Sequence, residues 1–581
     1  MKFSFLADVL NKIAQISSRT AITELLAHLF DKATAQEARI IAYITLGSLR
    51  PPYEGTQFSL AERSVKKVLE DLLEVSPVTM KQLVKEYGDL GEVVARAAWQ
   101  DYQEFELTEV YDALLALESI SGVGSQEHRM ETFKQFLRVL GPLQAGLVIR
   151  IVLGKLRLGF SDMTLIDALS WMLAGNKSLH VKIEHAYNIC ADIGHIAYVL
   201  KQDGIEGLNK IVITVGIPIR PAAAERLPTA QDIIDKLGPC VAQPKIDGFR
   251  LQIHMSRTGQ KAHLWFFSRN LINMSDMFPD LHKDLEHIPV HSCILEGEAI
   301  GFDETTGTFT PFQETVKRKR KHDIEEIAKE FPLKLFLFDL LYLNGESLLG
   351  REHHVRREVL VQLMKQHTTD AIHVIEERPI HTARALESYF KEMVSEGLEG
   401  LVVKKPKSHY QPGKRNFNWI KLKRHEQTGG LEDTLDTVVL GYYYGRGKRA
   451  HFGVGAFLVG IYDKKTDCFE TIAKVGTGLS DQAWVDFKKR CDAISISGKP
   501  HNVVCAKELE PDVWVHPSLV VEVRADEITQ SPVHTACKNA ENALGLALRF
   551  PRMVGYRPDK AATQATAAAE VRRLFVDQRA A

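Results

Sequence analysis

Apolar residues fall at Val65, Val68, Leu69, Leu72 and Leu73 with charged residues between them, the i, i+3, i+4, i+7, i+8 spacing of an amphipathic helix. Similar stripes recur up to about residue 205 with few strand-like runs, so residues 1–205 are predicted to form a helical domain. Gly207, Pro218, Pro221 and Pro228 then interrupt helix formation and predict a connecting segment. From Cys240 the texture changes to short apolar runs bounded by turns, at Leu251 to Met255, Leu264 to Phe267, Cys293 to Leu295, Leu333 to Leu343 and Gly400 to Val403. These predict the strands of an α/β or α+β domain over 206–428. Beyond about Leu431 the pattern becomes more purely strand-like, with Val438 to Leu440, Ala456 to Tyr462 and Leu519 to Val523 separated by turns such as Tyr444-Gly445-Arg446-Gly447. A small β-barrel over 429–581 fits, with an alanine-rich helix or frayed segment after Lys560. No internal repeat is present.

A chain of 581 residues is too long for one ordinary core, and 45% hydrophobic content supplies several. Its seven cysteines are scattered without a C-x-x-C pair, which fits a reduced interior and argues against a disulfide framework or zinc ribbon. No signal peptide or membrane span is visible, so an intracellular protein is expected, cytoplasmic if the source is prokaryotic. With 73 basic and 74 acidic residues the surface is not basic throughout, but one basic face suffices to bind nucleic acid. The run Lys317-Arg318-Lys319-Arg320-Lys321 is the densest cluster, and on composition a solvated helix face accounts for it better than a functional patch does.

Candidate chemistry begins at Lys245-Ile246-Asp247-Gly248-Phe249-Arg250. A lysine amine attacks phosphorus only when neutral, so a nucleophilic lysine needs desolvation or nearby positive charge, and Arg250 is close by in sequence. Asp247-Gly248 would supply a turn presenting Lys245 at a strand end. Period-two geometry would put Glu296 and Glu298 on one strand face, where like charges require a cation, and hard oxygen ligands beside a phosphate substrate imply Mg²⁺. The segment Glu399 to Lys404 places a carboxylate and a lysine at opposite ends of another strand. Lys421 and Lys423 would point together from a third, a pair suited to a triphosphate or to guarding an exposed edge strand. Each motif alone is equally what a surface strand produces; their order in one chain is what carries information.

That ordered set, KIDGFR, FSRN, ILEGEAI, LFLFDLLYLNG, EGLVVK, WIKLKR and LRFPRMVGYRPDK, resembles the ATP-dependent DNA ligases, in particular the replicative type of archaea and eukaryotes. Gly154 to Gly159 is similar to a stretch of that family's DNA-binding domain, so the resemblance spans almost the whole chain. It implies an all-α DNA-binding domain, an ATP-grasp-like α+β nucleotidyltransferase core and an OB-fold barrel. Lys245 would be the adenylated nucleophile, Arg250 and Arg269 would hold ribose and phosphates, and Phe338 would stack on adenine. Glu298 would lie near the ribose or metal and Glu399 would bind Mg²⁺, while Lys404, Arg415, Lys421 and Lys423 would contact phosphates. Arg549, Arg552 and Lys560 of the barrel would orient the leaving pyrophosphate. The implied reaction seals 5′-phosphate/3′-hydroxyl nicks in duplex DNA through a lysine-AMP intermediate, with ATP as donor, in replication, repair and recombination. A monomer is expected, closing its domains around the DNA.

One departure stands out: many relatives carry Glu two positions before the nucleophile, where its carboxylate can accept from the adenine amino group, and this chain has Gln243. An amide oxygen can still accept that bond, whereas an amide N–H could donate to guanine. An RNA ligase or capping guanylyltransferase shares the lysine chemistry but not the helical domain, and a catalytically silent nick-binding protein would share the fold. A sliding clamp is a further candidate partner; Gln57-Phe58-Ser59-Leu60 faintly resembles a clamp-binding peptide but lacks paired aromatics and reads as local structure.

Overall fold

A computed structural model describes the chain except residues 17, 99–101, 157, 304–307, 311–331, 366, 368, 424–433, 539–543 and 581. The basic run 317–321, Arg157 and Arg424 therefore lie outside the described residues. Two compact units emerge, Met1–Val65 with Trp99–Gln427, and Lys66–Ala98 with Thr428–Ala581.

The first unit opens with helices, among them Phe3–Ala14, Arg19–Lys32, Ala35–Thr45, Leu107–Ser119, Pro142–Val152 and Ile193–Asp203. Their starts follow capping chemistry: Thr34 Oγ1 accepts the Glu37 N–H at 3.3 Å while the Glu37 carboxylate accepts the Thr34 N–H at 2.8 Å. Phe58 and Leu60 are buried, so the Gln57–Leu60 segment is structural in the helical region.

Two sheets follow in the same unit. Their strands are β1 (Ala223–Arg226), β2 (Cys240–Lys245), β3 (Phe249–Thr258), β4 (Lys261–Ser268), β5 (Ser292–Asp303), β6 (Thr308–Phe309), β7 (Leu333–Leu343), β8 (Glu346–Ser347), β9 (Ile372–Val374), β10 (Arg378–Ile380), β11 (Gly400–Lys404) and β12 (Arg415–Lys423). One sheet runs β1-β12-β11-β2-β10; the other runs β4-β3-β5-β7-β8, with β6 on β5 and β9 on β7. Residues 246–248 are therefore not a hairpin turn but a crossing from one sheet to the other, and they put Lys245 and Arg250 on different sheets. Gly248 is required at the crossing, since a Cβ there would sit 2.3 Å from the Ala299 carbonyl oxygen.

Behind β7 lies a fully buried ion pair: Arg356 Nε and Nη2 donate to the two oxygens of Asp339 at 2.8 and 2.9 Å. Burial alone would raise the Asp339 carboxyl, but Arg356 outweighs it and holds the group at about 2.

The second unit contains helices Pro77–Tyr87 and Leu90–Ala95 and the strands β13 (Leu435–Tyr443), β14 (Ala456–Asp463), β15 (Cys468–Val475), β16 (Ser495–Ile496), β17 (Val503–Val504), β18 (Val513–Val515), β19 (Val520–Arg524), β20 (Glu527–Ser531), β21 (Gly545–Arg549) and β22 (Arg552–Tyr556). The order is β16-β18-β13-β14-β15-β17, with β19 joining β13 to β22 and β20 paired to β21. The strand-like pattern of this region conceals the helix Asp481–Asp492. Its signal is present, because Trp484, Phe487 and Cys491 at i, i+3 and i+7 are its buried face and Ser480 caps it. The helix Ala568–Ala580 is docked rather than frayed, burying Ala568 and Val571, and Gln578 accepts the Ile528 N–H at 3.0 Å.

Removing one partner of the Asp339–Arg356 pair leaves a buried charge, so Asp339→Asn is expected to destabilise the first unit by about 3–5 kcal/mol in urea unfolding. The double exchange Asp339→Leu/Arg356→Met should lose clearly less, and equal losses would show that the pair itself is what stabilises.

Candidate active site

A cavity of about 500 Å³ lies between the two sheets of the first unit. One sheet contributes Gln243 and Lys245 from β2, Glu399 and Val402 beside and within β11, and Trp419, Lys421 and Lys423 from β12. The other contributes Arg250 from β3, Glu298 from β5 and Phe338 from β7, with Arg269 exposed on the loop after β4. The antiparallel register sets Gly400 opposite Lys245 and Lys423, so Lys245, Glu399 and Lys423 meet at one end. Glycine is needed at 400, where φ is +140° and a Cβ would meet the Leu422 carbonyl oxygen at 2.2 Å.

At this end Glu399 ion-pairs with Lys245, and with Lys423 at 3.0 Å. Burial would raise its carboxyl, but Lys245 and then Lys423 outweigh that and hold it well below the ordinary range. Asp247 moves the opposite way, raised by burial and by the charge of Glu399. Glu298 is pushed up to about 7 by burial, against the pull of Lys245 and Arg250. Lys421 is brought down to about 8 by burial and by the surrounding cations Arg226, Lys423, Arg415 and Lys245. Alternation along β12 does unite Lys421 and Lys423 on the cavity, as the sequence predicts.

Several positions differ from the sequence expectation. Arg250 is close to Lys245 in sequence, but the direct partner of Lys245 is the carboxylate of Glu399. Arg250 instead answers the need for a cation beside Glu296: its Nη2 contacts both Glu296 oxygens at 3.0 and 2.9 Å, and its Nη1 donates to the Ala222 carbonyl at 2.6 Å. Its Nε is buried without a hydrogen-bond partner. Lys404 sits far from the Lys245 end, four residues along β11, about 13 Å at strand rise. It is fully buried, with Nζ 4.3 Å from the Trp419 ring centroid and 5.0 Å from that of Phe338, and burial brings it down to about 8. Arg415 is exposed and outside the cavity lining; β12 bulges between Asn416 and Ile420, whose partners on β1 are consecutive residues, so the alternation of Trp419, Lys421 and Lys423 does not extend back to it.

In the second unit Arg549 pairs with Glu527, Arg552 with Asp526 at 2.8 Å, and Lys560 with Asp436. Arg557, to which the sequence motifs assign no role, shares Asp436 with Lys560 at 2.9 Å. Trp419 and the Gln243 partner Glu377 likewise carry no role from sequence, and Asp247 is read there only as part of a turn. Trp419 and Asp247 lie inside motifs that mark the site; Glu377 lies in none.

A lysine paired with a carboxylate and flanked by further lysines, in a cleft between two sheets, is a setting suited to a phosphate-bearing ligand. Comparison with known proteins identifies the family. The family described as ATP dependent DNA ligase domain matches residues 221–423, DNA ligase N terminus matches 2–170, and ATP dependent DNA ligase C terminal region matches 450–560. The "Probable DNA ligase" of Dictyoglomus turgidum is 42% identical over 100% of this chain and 98% of its own length. "DNA ligase 2" of Thermofilum pendens is 37% identical, again over 100% of this chain and 98% of its own. A solved structure titled "Pmar-Lig_Pre." shares the fold, with TM-score 0.55 and 17% identity over 95% of this chain and 99% of that one. The chain belongs to the ATP-dependent DNA ligase family: it is an enzyme that seals nicks in DNA through adenylation, with ATP as its substrate. Its architecture is that family's, a helical N-terminal region followed by sheet-rich adenylation and OB-like regions. Among the described residues no helix is long and apolar enough to cross a membrane.

The raised Glu298 gives a pH signature. Between its ordinary 4.5 and about 7 the folded protein holds a proton that the unfolded chain has lost. That contribution to stability is present below about pH 4.5 and lost as pH rises through about 7. Glu298→Gln is therefore expected to melt higher than the wild type above pH 7 and alike near pH 4, read by scanning calorimetry; a gain independent of pH would refute the raised carboxyl.

Proposed function

We propose that Lys245 is the adenylated nucleophile, and the observation that supports this reading is its position at the end of β2, in contact with Glu399 and flanked by Lys421 and Lys423. Nζ attacks the α-phosphorus of ATP, a P–N bond forms, the α–β bridge breaks and pyrophosphate leaves. Glu399 is the nearest acceptor for the ammonium proton. The 5′-phosphate of a nick then displaces Lys245 from AMP, and the adjacent 3′-hydroxyl displaces AMP to close the strand. Charge accumulates on phosphate oxygens throughout, so Lys421 and Lys423 act by preorganised electrostatic stabilisation. Phe338 and Trp419 supply apolar surface for the adenine, over the buried Lys404. The unpartnered Nε of Arg250 is a free donor for the ribose, and exposed Arg269 serves the phosphates.

Glu399, Glu298 and Asp247 offer hard oxygens at the phosphate end, which suits Mg²⁺. Among the described residues no three ligands form a cage on their own, so Glu399 and Glu298 would hold the ion together with substrate phosphate oxygens. The ion would neutralise phosphate charge.

The division of labour is 1–205 for DNA binding, 206–428 for ATP-grasp-like adenylation and 429–581 as an OB-fold barrel, whose Arg549, Arg552 and Lys560 orient the pyrophosphate. Nicked double-stranded DNA is the substrate, and the enzyme works inside the cell as a monomer.

Intact mass after incubation with ATP and Mg²⁺ is expected to rise by one AMP, to stay unchanged in Lys245→Ala, and to fall back when nicked duplex is added and sealed. An AMP adduct retained by Lys245→Ala would move the nucleophile elsewhere. Lys423→Ala is expected to slow adenylation roughly 100-fold in single-turnover assays.

A further inference from the structure

We propose that Glu377, held by His353, sets the purine selectivity of this ligase by fixing which end of the Gln243 carboxamide meets the base; this rests on the cavity being the nucleotide site. Gln243 is 2% exposed and lines the cavity from β2. The antiparallel register of β10 on β2, which pairs Arg378 with Ala242, places Glu377 opposite Gln243. Gln243 Nε2 donates to Glu377 Oε2 at 2.7 Å, and His353 Nε2 reaches the same oxygen at 2.8 Å. That oxygen thus receives two donors, and His353 is itself fixed, 1% exposed at the first turn of the helix His353–Met364.

An ionised carboxylate accepts and never donates, so the amide must turn its NH₂ toward Glu377. Burial would raise the Glu377 carboxyl, but the bond from His353 and the charges of Lys404 and Arg357 hold it below its ordinary value, so it is an acceptor at neutral pH. Glu377 is not itself part of the cavity lining, so the NH₂ points away from the nucleotide and the carbonyl oxygen is left for the base. Adenine offers a 6-amino donor to that oxygen, whereas guanine offers a 6-oxo acceptor, which would be left facing another acceptor. The ambiguity of a free amide, which could serve either base by flipping, is removed by a residue 134 positions away.

The test is single-turnover adenylation with ATP and with GTP, followed by intact mass, comparing the ratio of their second-order rates. The wild type is expected to favour ATP. Glu377→Gln, which can both donate and accept, should lower that ratio at least about tenfold, with ATP half-saturation raised. Gln243→Glu alone sets two carboxylates against each other and should charge poorly. The paired exchange Q243E/E377Q should restore preference for ATP, because the amide introduced at position 377 can then donate to the carboxylate introduced at position 243; a purely structural role for Glu377 predicts no such rescue. An unchanged ratio in Glu377→Gln, or a paired exchange that takes GTP as readily as ATP, overturns the proposal. If Glu377→Gln does not fold, the paired exchange decides on the same criterion. A wild type charged equally by both nucleotides defeats the clamp alone, whereas one that takes no AMP from ATP defeats the nucleotide site and the clamp with it.

Discussion

Glu296 is a fully buried carboxylate in the middle of β5, and the first unit is organised around satisfying it. An unpaired carboxylate there would carry the full desolvation cost of a buried charge. Arg250 supplies the charge, Gln252 a further donor at 3.4 Å, and Tyr410 a hydroxyl at 2.9 Å. The partners come from both sides of the cleft. Arg250 also bonds the Ala222 carbonyl just before β1, and the Ala222 N–H donates to the Tyr410 oxygen at 2.9 Å. One buried anion thus ties β3 and β5 to the segments that lead into β1 and β12, and the spacing between the two sheets follows from it. With that spacing fixed, Lys245 on one wall and Glu298 on the other face a shared space.

Along the cleft the charged groups are sorted by depth. Lys404, beneath two aromatic rings, is fully buried and stabilised by neighbours such as Asp339 and Glu377. Lys421, Lys423 and Lys245 lie at the opposite end with three carboxylates between them. An apolar, ring-lined end and an ionic end about a strand's length apart are the two environments that a base and a polyphosphate require.

Much of this is legible in the sequence because its determinants are local. Lys421 and Lys423 share a face through strand alternation, whereas the close backbone approaches at Gly248 and Gly400 emerge only once the strands are packed. The helical region announces itself by periodicity. What cannot be read depends on how strands are ordered in space. Nothing in KIDGFR says that Lys245 and Arg250 part company onto different sheets, and nothing in EGLVVK says that the register with β2 sets Lys404 four residues away from the Lys245 end. The Arg415 displacement stems from a bulge, which alternation alone does not foretell. Glu377 belongs to no motif, since its role exists only through β10 pairing with β2.

The placing of Glu399 between Lys245 and Lys423 has a bearing on competition among anions. Clustered lysines with no counter-charge would collect any sulfate, chloride or monophosphate in the surrounding solution. Here the protein carries its own resident anion, tethered by the backbone at Gly400, whose effective concentration no monovalent ion can match. A ligand that brings several negative charges at once is better placed to displace that tether than a single anion. The same carboxylate that quiets the lysines therefore raises the charge that any competing anion must bring to the ionic end of the cleft.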